Sequence, residues 1–229
     1  MIPPAKSKSL FPLTTVAKEL VAALSGLVLV LFVLAHMAGN FLVFIGPASY
    51  NSYAEHLHSG IQLSIARVVL IAAFVAHGGC TLWLALDNRR IRRTPYAVSN
   101  TMGGTNLAKW SMIYSGIAVL VFVSLHLCDF AFREKTGAAS ILDGKNEGLY
   151  GLVCNSFRQP THVVFYVLSV GALGLHLSNV ISTLWVTLGV LTHTATNRVN
   201  LFARMAGVLI ALGFSSVPLF VLVKFWTGV

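Results

Sequence analysis

The chain has 229 residues, 56% of them apolar and only 10% charged, with a formal net charge of +9. A water-soluble domain carries about a quarter charged residues, so this chain cannot cover itself in water and needs lipid against much of its surface. Its basic residues fall in short clusters between apolar runs rather than on one face, which excludes a nucleic-acid interface and fits membrane topology.

Five apolar segments reach the roughly 20 residues that a membrane-crossing helix needs. The first, Leu20–Ile45, follows a basic stretch from Met1 to Lys8 and Lys18. It runs far beyond the apolar part of a cleaved signal, and no cleavage site follows, so it reads as a retained span. The stretch Asn51–His58 is polar and reads as an amphipathic interfacial loop. The second span is Val68–Leu86, closed by the basic run Arg89–Arg93. The third is Trp110–Cys128, behind Lys109. Phe132–Pro160 is the one sizeable loop, read as a short extramembrane cap. Val163–Leu188 and Met205–Val223 are the fourth and fifth spans, with Arg198 and Arg204 between them. In lipid each span must satisfy its own backbone, so all five are expected to be helices. The expected architecture is all-α: one integral membrane bundle of five transmembrane helices over residues 1–229. Lysine and arginine bias places the N-terminus in the cytoplasm and the C-terminus outside.

Four of the eight histidines are informative. His36, His77, His126 and His176 each lie in a different span, and the fifth span has none. One histidine in a membrane helix reads as an interhelical hydrogen bond; four, one on each of four helices, point to metal ligation. Their depths agree in pairs. His36 lies 18 residues after Lys18 and His126 lies 17 after Lys109, one common level in the outer half. His77 lies ten residues before Asp87 and His176 nine before Trp185, a deeper level towards the cytoplasm.

Two levels with two histidines each suit two six-coordinate haems stacked across the membrane. Bis-histidine ligation leaves iron no open position and favours electron transfer over oxygen chemistry. Each ring's second nitrogen then needs an acceptor, expected to be a backbone carbonyl one turn earlier. Gly39, Ala73, Gly78, Gly79, Gly171 and Gly174 are the small residues expected to leave room for a flat macrocycle; small residues also serve plain helix–helix contact. Cys80 and Cys128 sit in apolar runs as small hydrophobes, and with Cys154 they form neither a C-x-x-C-H attachment motif nor a zinc-site spacing.

The stretches that carry a family resemblance are His36-Met-Ala-Gly-Asn40, Arg67 through His77 to Asn88-Arg89-Arg90, and Thr101-Met102. They continue with His126-Leu-Cys-Asp-Phe130, Phe157-Arg-Gln-Pro160 leading to Tyr166, and Leu173-Gly-Leu-His-Leu177. In this order, from about Val16 to Gly189, the chain resembles the five-helix, dihaem cytochrome b subunit of succinate:quinone oxidoreductases, the succinate dehydrogenases and fumarate reductases. The resemblance implies two b haems, one on His36 and His126 (outer) and one on His77 and His176 (inner). It implies a flavoprotein subunit and an iron–sulfur subunit on the cytoplasmic face of a bacterial cytoplasmic membrane. Succinate chemistry would belong to the flavoprotein, and this chain would exchange electrons with quinone, usually menaquinone.

Two departures stand out. Some fumarate reductases of this type carry a glutamate near the fourth ligand; here Gly174 and its neighbours offer none, and no acidic residue follows Glu147. A succinate dehydrogenase lacking that proton route is the expectation. Ser178-Asn179 also replace the His-Gly common after the fourth ligand. A quinone site needs a proton donor at a water-accessible surface, and Glu55 and His58 on the outer side are the candidates. Their plain reading is as solvated polar groups of an interfacial loop. His162 and His193 read as interfacial histidines, and Lys109, Arg198 and Arg204 as topology and docking charges. The alternatives are the haem b anchor of another quinone-linked oxidoreductase, a transporter using histidines as a proton relay, and a passive anchor without cofactor.

Overall fold

The computed structural model describes residues 14–91, 106–134, 137–187 and 196–228. Thr101-Met102, the Arg92–Arg93 end of the basic run, Leu188 and His193 lie outside these ranges. The described chain forms seven helices: α1 Thr15–Asn40, α2 Pro47–His58, α3 Ile61–Ile91, α4 Asn106–His126, α5 Gly148–Phe157, α6 Pro160–Thr187 and α7 Thr196–Thr227. Of these, α1, α3, α4, α6 and α7 are long and apolar enough to cross a membrane. They correspond to the five expected spans; α3, α4, α6 and α7 are longer than the apolar run alone indicated, and α1 starts earlier.

The added length comes from polar ends that hydropathy does not count. Thr14 caps α1 by accepting the Ala17 N–H at 3.2 Å, which supplies a partner to one of the first turn's orphan donors. α1 then runs into a single 3₁₀ turn, Phe41–Phe44. Gly46 follows at φ 127°, a conformation that favours glycine, and Pro47 opens α2 with its preset φ. The stretch expected to be an interfacial loop is thus a helix. Pro160 likewise opens α6. α7 carries Pro218 inside it, a break in the backbone ladder that lipid-embedded helices tolerate when neighbours compensate.

The outward faces stay apolar. Leu31, Ile71, Val121, Leu168 and Leu212 are exposed at mid-helix, as expected of a surface whose solvent is hydrocarbon. The chain is a multi-pass membrane protein.

Helix contacts divide the bundle. α1 packs on α3, α6 on α4 and most extensively on α7, while α1 also touches α6 and α7. The pairs α1–α4 and α3–α6 are not among the extensively packed ones. The expected cap between the third and fourth spans contains a two-stranded hairpin, β1 Ile141–Leu142 against β2 Lys145–Asn146, and then α5. α5 buries Tyr150, Val153, Cys154 and Phe157, and these join Val43, Tyr50, Phe122, Val163, Tyr166 and Val217 in one core cluster. Asn51 of α2 stitches this cap down: its amide donates to the Glu147 carbonyl at 2.9 Å and accepts from the Tyr150 N–H at 3.0 Å. Burial pushes the Cys154 thiol up to about 11, so it stays protonated and serves as packing.

Candidate paired-histidine site

The inner end of the bundle fixes the depth scale. Lys18 of α1 is buried and lies 3.7 Å from the Asp87 carboxylate of α3, with its ammonium 4.6 Å from the centre of the Trp83 ring. Trp83 donates to the same carboxylate at 2.6 Å. The residues from which the depths of His36 and His77 were counted therefore sit side by side.

From that base the four histidines meet in two pairs. The His36 and His126 ring centres are 5.8 Å apart with planes at 86°, and those of His77 and His176 are 6.5 Å apart at 88°. Each pair joins two helices that do not pack extensively, so the rings reach across a gap between helices. The vertical separation follows from α1 and α4 independently. A Cβ placed on Gly26 would lie 3.0 Å from the His77 ring, and one on Gly116 would lie 3.4 Å from the His176 ring. His36 is ten residues beyond Gly26, and His126 ten beyond Gly116. Both helices place the two levels about 15 Å apart at 1.5 Å rise per residue.

At the inner level the second ring nitrogens are committed. His77 Nδ1 lies 2.9 Å from the Ala22 carbonyl. A carbonyl only accepts, so Nδ1 carries the proton and Nε2 keeps its lone pair. His176 Nδ1 lies 3.1 Å from Ser115 Oγ, and that hydroxyl lies 3.2 Å from the Met112 carbonyl, to which it can only donate. Ser115 therefore accepts from His176 Nδ1–H, and again Nε2 is left with its lone pair. Both acceptors belong to a different helix from the histidine, not to the preceding turn of the same helix. For this inner pair the expectation of a local carbonyl is corrected: the rings reach out of their own helices, and their acceptors stand on the helices packed against them.

The outer level is enclosed by aromatic rings. Phe32 stacks on His36 at 5.4 Å, Phe214 lies at 5.9 Å, and Phe122, Phe130 and Tyr166 surround His126 at 5.7, 5.3 and 6.1 Å. His126 Nδ1 is buried without a hydrogen-bond partner.

The small residues divide differently from expectation. Gly26 and Gly116, unremarked in the sequence, are the glycines against the histidine rings. A Cβ on Gly39 would meet the Tyr53 ring at 2.7 Å, and one on Gly174 would meet the Gly207 carbonyl oxygen at 2.5 Å. Those two serve helix contact. Gly78, Gly79 and Gly171 face open space.

Glu55 and His58 are exposed on α2, where His58 Nδ1 lies 2.6 Å from the Ala54 carbonyl. Arg198 and Arg204 are exposed at the start of α7, and the Lys109 side chain lies outside the described set. A different acid stands near the outer pair: Asp129, one turn past His126, bonded to His162 and Tyr166. The available signal was a carboxylate inside an apolar run, which is costly unless partnered.

Fold and site together define a membrane-embedded all-α bundle with paired imidazoles at two levels. No protein-family model, curated protein or solved structure matches the chain.

Proposed function

We propose that this chain is the membrane-anchor and electron-transfer subunit of a succinate dehydrogenase. It would pass electrons from an iron–sulfur subunit through two b haems to quinone, with menaquinone the expected type. The observation that carries the reading is the close pairing of two imidazoles from different helices at each of two levels. An iron held between two imidazole nitrogens at about 2 Å each sets the ring centres about 6 Å apart, and the measured 5.8 and 6.5 Å match. Among the described residues no group of three or more His, Cys, Asp or Glu gathers. Two imidazoles alone suit a metal whose remaining donors come with a macrocycle.

When bound, haem would supply one-electron carriage. The chain's own residues do the rest. His77 and His176 hold their Nδ1 protons on Ala22 and Ser115 and so present basic Nε2 atoms. Gly26 and Gly116 let neighbouring helices approach the rings, and the phenylalanines of the outer level keep water out. Succinate oxidation would occur on a flavoprotein partner at the cytoplasmic face, and the basic inner loops suit that docking.

The test is a pyridine haemochrome assay on the purified chain together with the proteins that co-purify. The expected result is two b haems per chain and succinate-dependent quinone reduction. A molybdenum or nickel–iron partner would assign the chain to another quinone-linked oxidoreductase, and absence of a Soret band would reject haem altogether. Ser115 is a positioning residue in this scheme. Ser115→Ala should weaken retention of the inner haem by roughly 10–100-fold and leave the outer one in place, as measured by haem transfer to excess apomyoglobin.

A further inference from the structure

At the outer end, α4 does not stop at His126. It continues through one π turn, Leu127–Ala131, closed by the Phe132 N–H on the Leu127 carbonyl at 3.0 Å. Such wide turns inside helices recur at functional sites. This one carries Asp129, whose Oδ2 receives two contacts from the first turns of α6: His162 Nε2 at 3.0 Å and the Tyr166 hydroxyl at 2.8 Å. The other ring nitrogen, His162 Nδ1, lies 3.0 Å from both the carbonyl and the hydroxyl of Ser156 on α5.

Both nitrogens of His162 thus face acceptors. A carbonyl only accepts, which places one proton on Nδ1. An ionised carboxylate also only accepts, so a bare Nε2 lone pair against it would be repulsive. The geometry is satisfied when one further proton lies between Nε2 and Oδ2, whichever atom holds it. Asp129 and His162 are thus placed to share one proton across this contact. The two side chains are 25% and 23% exposed, so the pair is neither sealed off nor fully bathed in water.

It also stands beside the outer level. Asp129 is three residues along the chain from His126, and Tyr166 touches both the His126 ring and the Asp129 carboxylate. Among the described residues, titratable groups near the pair include His126 at the end of α4, Cys128 on the π turn, Tyr166 from α6, Cys154 from α5 and Arg158 just after it. Arg158 is turned away, 3.3 Å from Asp143 and 3.9 Å from the centre of the Phe225 ring, and Cys154 is engaged with Tyr150. From α7, Lys224 reaches the Tyr150 hydroxyl at 3.4 Å. Arg133 and Glu134, just past the π turn, are exposed.

Resting on the haem reading above, we infer that Asp129 and His162 are the proton-exchange pair of the outer redox level. An electron arriving from the iron–sulfur partner adds one negative charge beside the pair, and one proton from outer water adds to it, closing the Nε2–H–Oδ2 bridge. When the electron leaves for quinone, that proton passes from the pair to the quinone with it. A quinone taking two electrons and two protons to become a quinol uses the pair twice.

Potentiometric titration of the outer low-spin haem signal between about pH 6 and 8 tests this in the complete membrane complex. The wild-type midpoint should fall with rising pH by up to about 59 mV per unit, the value for one proton per electron. Asp129→Asn and His162→Gln should each flatten that slope while both haem signals persist, and Asp129→Glu should restore it. Unchanged slopes in both substituted proteins, or a flat wild-type slope, would overturn the inference. Should Asp129→Asn fail to assemble, His162→Gln and Asp129→Glu decide the matter between them. Absence of haem from the wild-type protein is a different outcome, which refutes the haem reading and this inference with it.

Discussion

On the dihaem proposal, His126→Ala should lower the haem content from two to one per chain and erase the outer low-spin signal, leaving the inner signal intact. His36→Ala should do the same, and His77→Ala or His176→Ala should erase the inner signal instead. The selectivity follows from the separation of the levels. Sites more than about 10 Å apart with no shared partners respond independently, and the levels stand about 15 Å apart along α1 and α4. The inner and outer losses should still differ in their side effects. His77 ties α3 to α1 through the Ala22 carbonyl, so its removal also deletes one interhelical hydrogen bond, at a cost of about 0.5–1.5 kcal/mol. His126 makes no such bond through Nδ1, so its removal should leave the bundle's own stability closer to wild type. Optical and paramagnetic spectra of the four purified variants provide the measurement. Retention of both signals in any one of them would break the pairing.

The second large effect is expected at the α6–α7 seam. Gly174 and Gly207 bring these helices together backbone to backbone. A Cβ on Gly174 would stand 2.5 Å from the Gly207 carbonyl oxygen and 2.9 Å from the Ala211 Cβ. A backbone oxygen cannot rotate away as a side chain can, so the helices must part. Overpacking of this kind costs about 1–3 kcal/mol, and Gly174→Val should lie at or above the top of that range. Because α6 carries His176 two residues further on, the displacement should loosen the inner level more than the outer. Thermal unfolding in detergent and the ratio of the two haem signals report the two consequences. Gly171→Ala is the matched control: its Cβ meets nothing within 4 Å, so it should alter stability by less than about 0.5 kcal/mol.

Spacing along a membrane helix carries height by itself. Counting from Lys18 and Lys109 placed His36 level with His126, and counting from Asp87 and Trp185 placed His77 level with His176. Rise per residue is a constant of the helix, so spacing along the chain converts directly into height. The same counting could not say which face of each helix turns inward. Gly26 and Gly116 therefore went unnoticed, while Gly174, next to a histidine in sequence, was assigned to a macrocycle instead of to α7. The partners of the second ring nitrogens were misplaced for a similar reason. Ala22 and Ser115 lie 55 and 61 residues from the histidines they serve, and no local pattern links them.

Hydropathy and charge, taken alone, determined that the chain has five membrane-crossing segments, that these segments are helical, and that four of them each carry a histidine. These properties depend on the cost of exposing polar backbone to lipid and on a fixed rise per residue, both of which are local. Only the tertiary structure decided which residues meet. It turned the stretch around Asn51 into a helix that anchors the α5 cap, brought Asp129 to His162, and assigned His77 and His176 their acceptors on other helices. Those outcomes depend on the rotation of each helix about its own axis, which is set by the packing of all its neighbours at once.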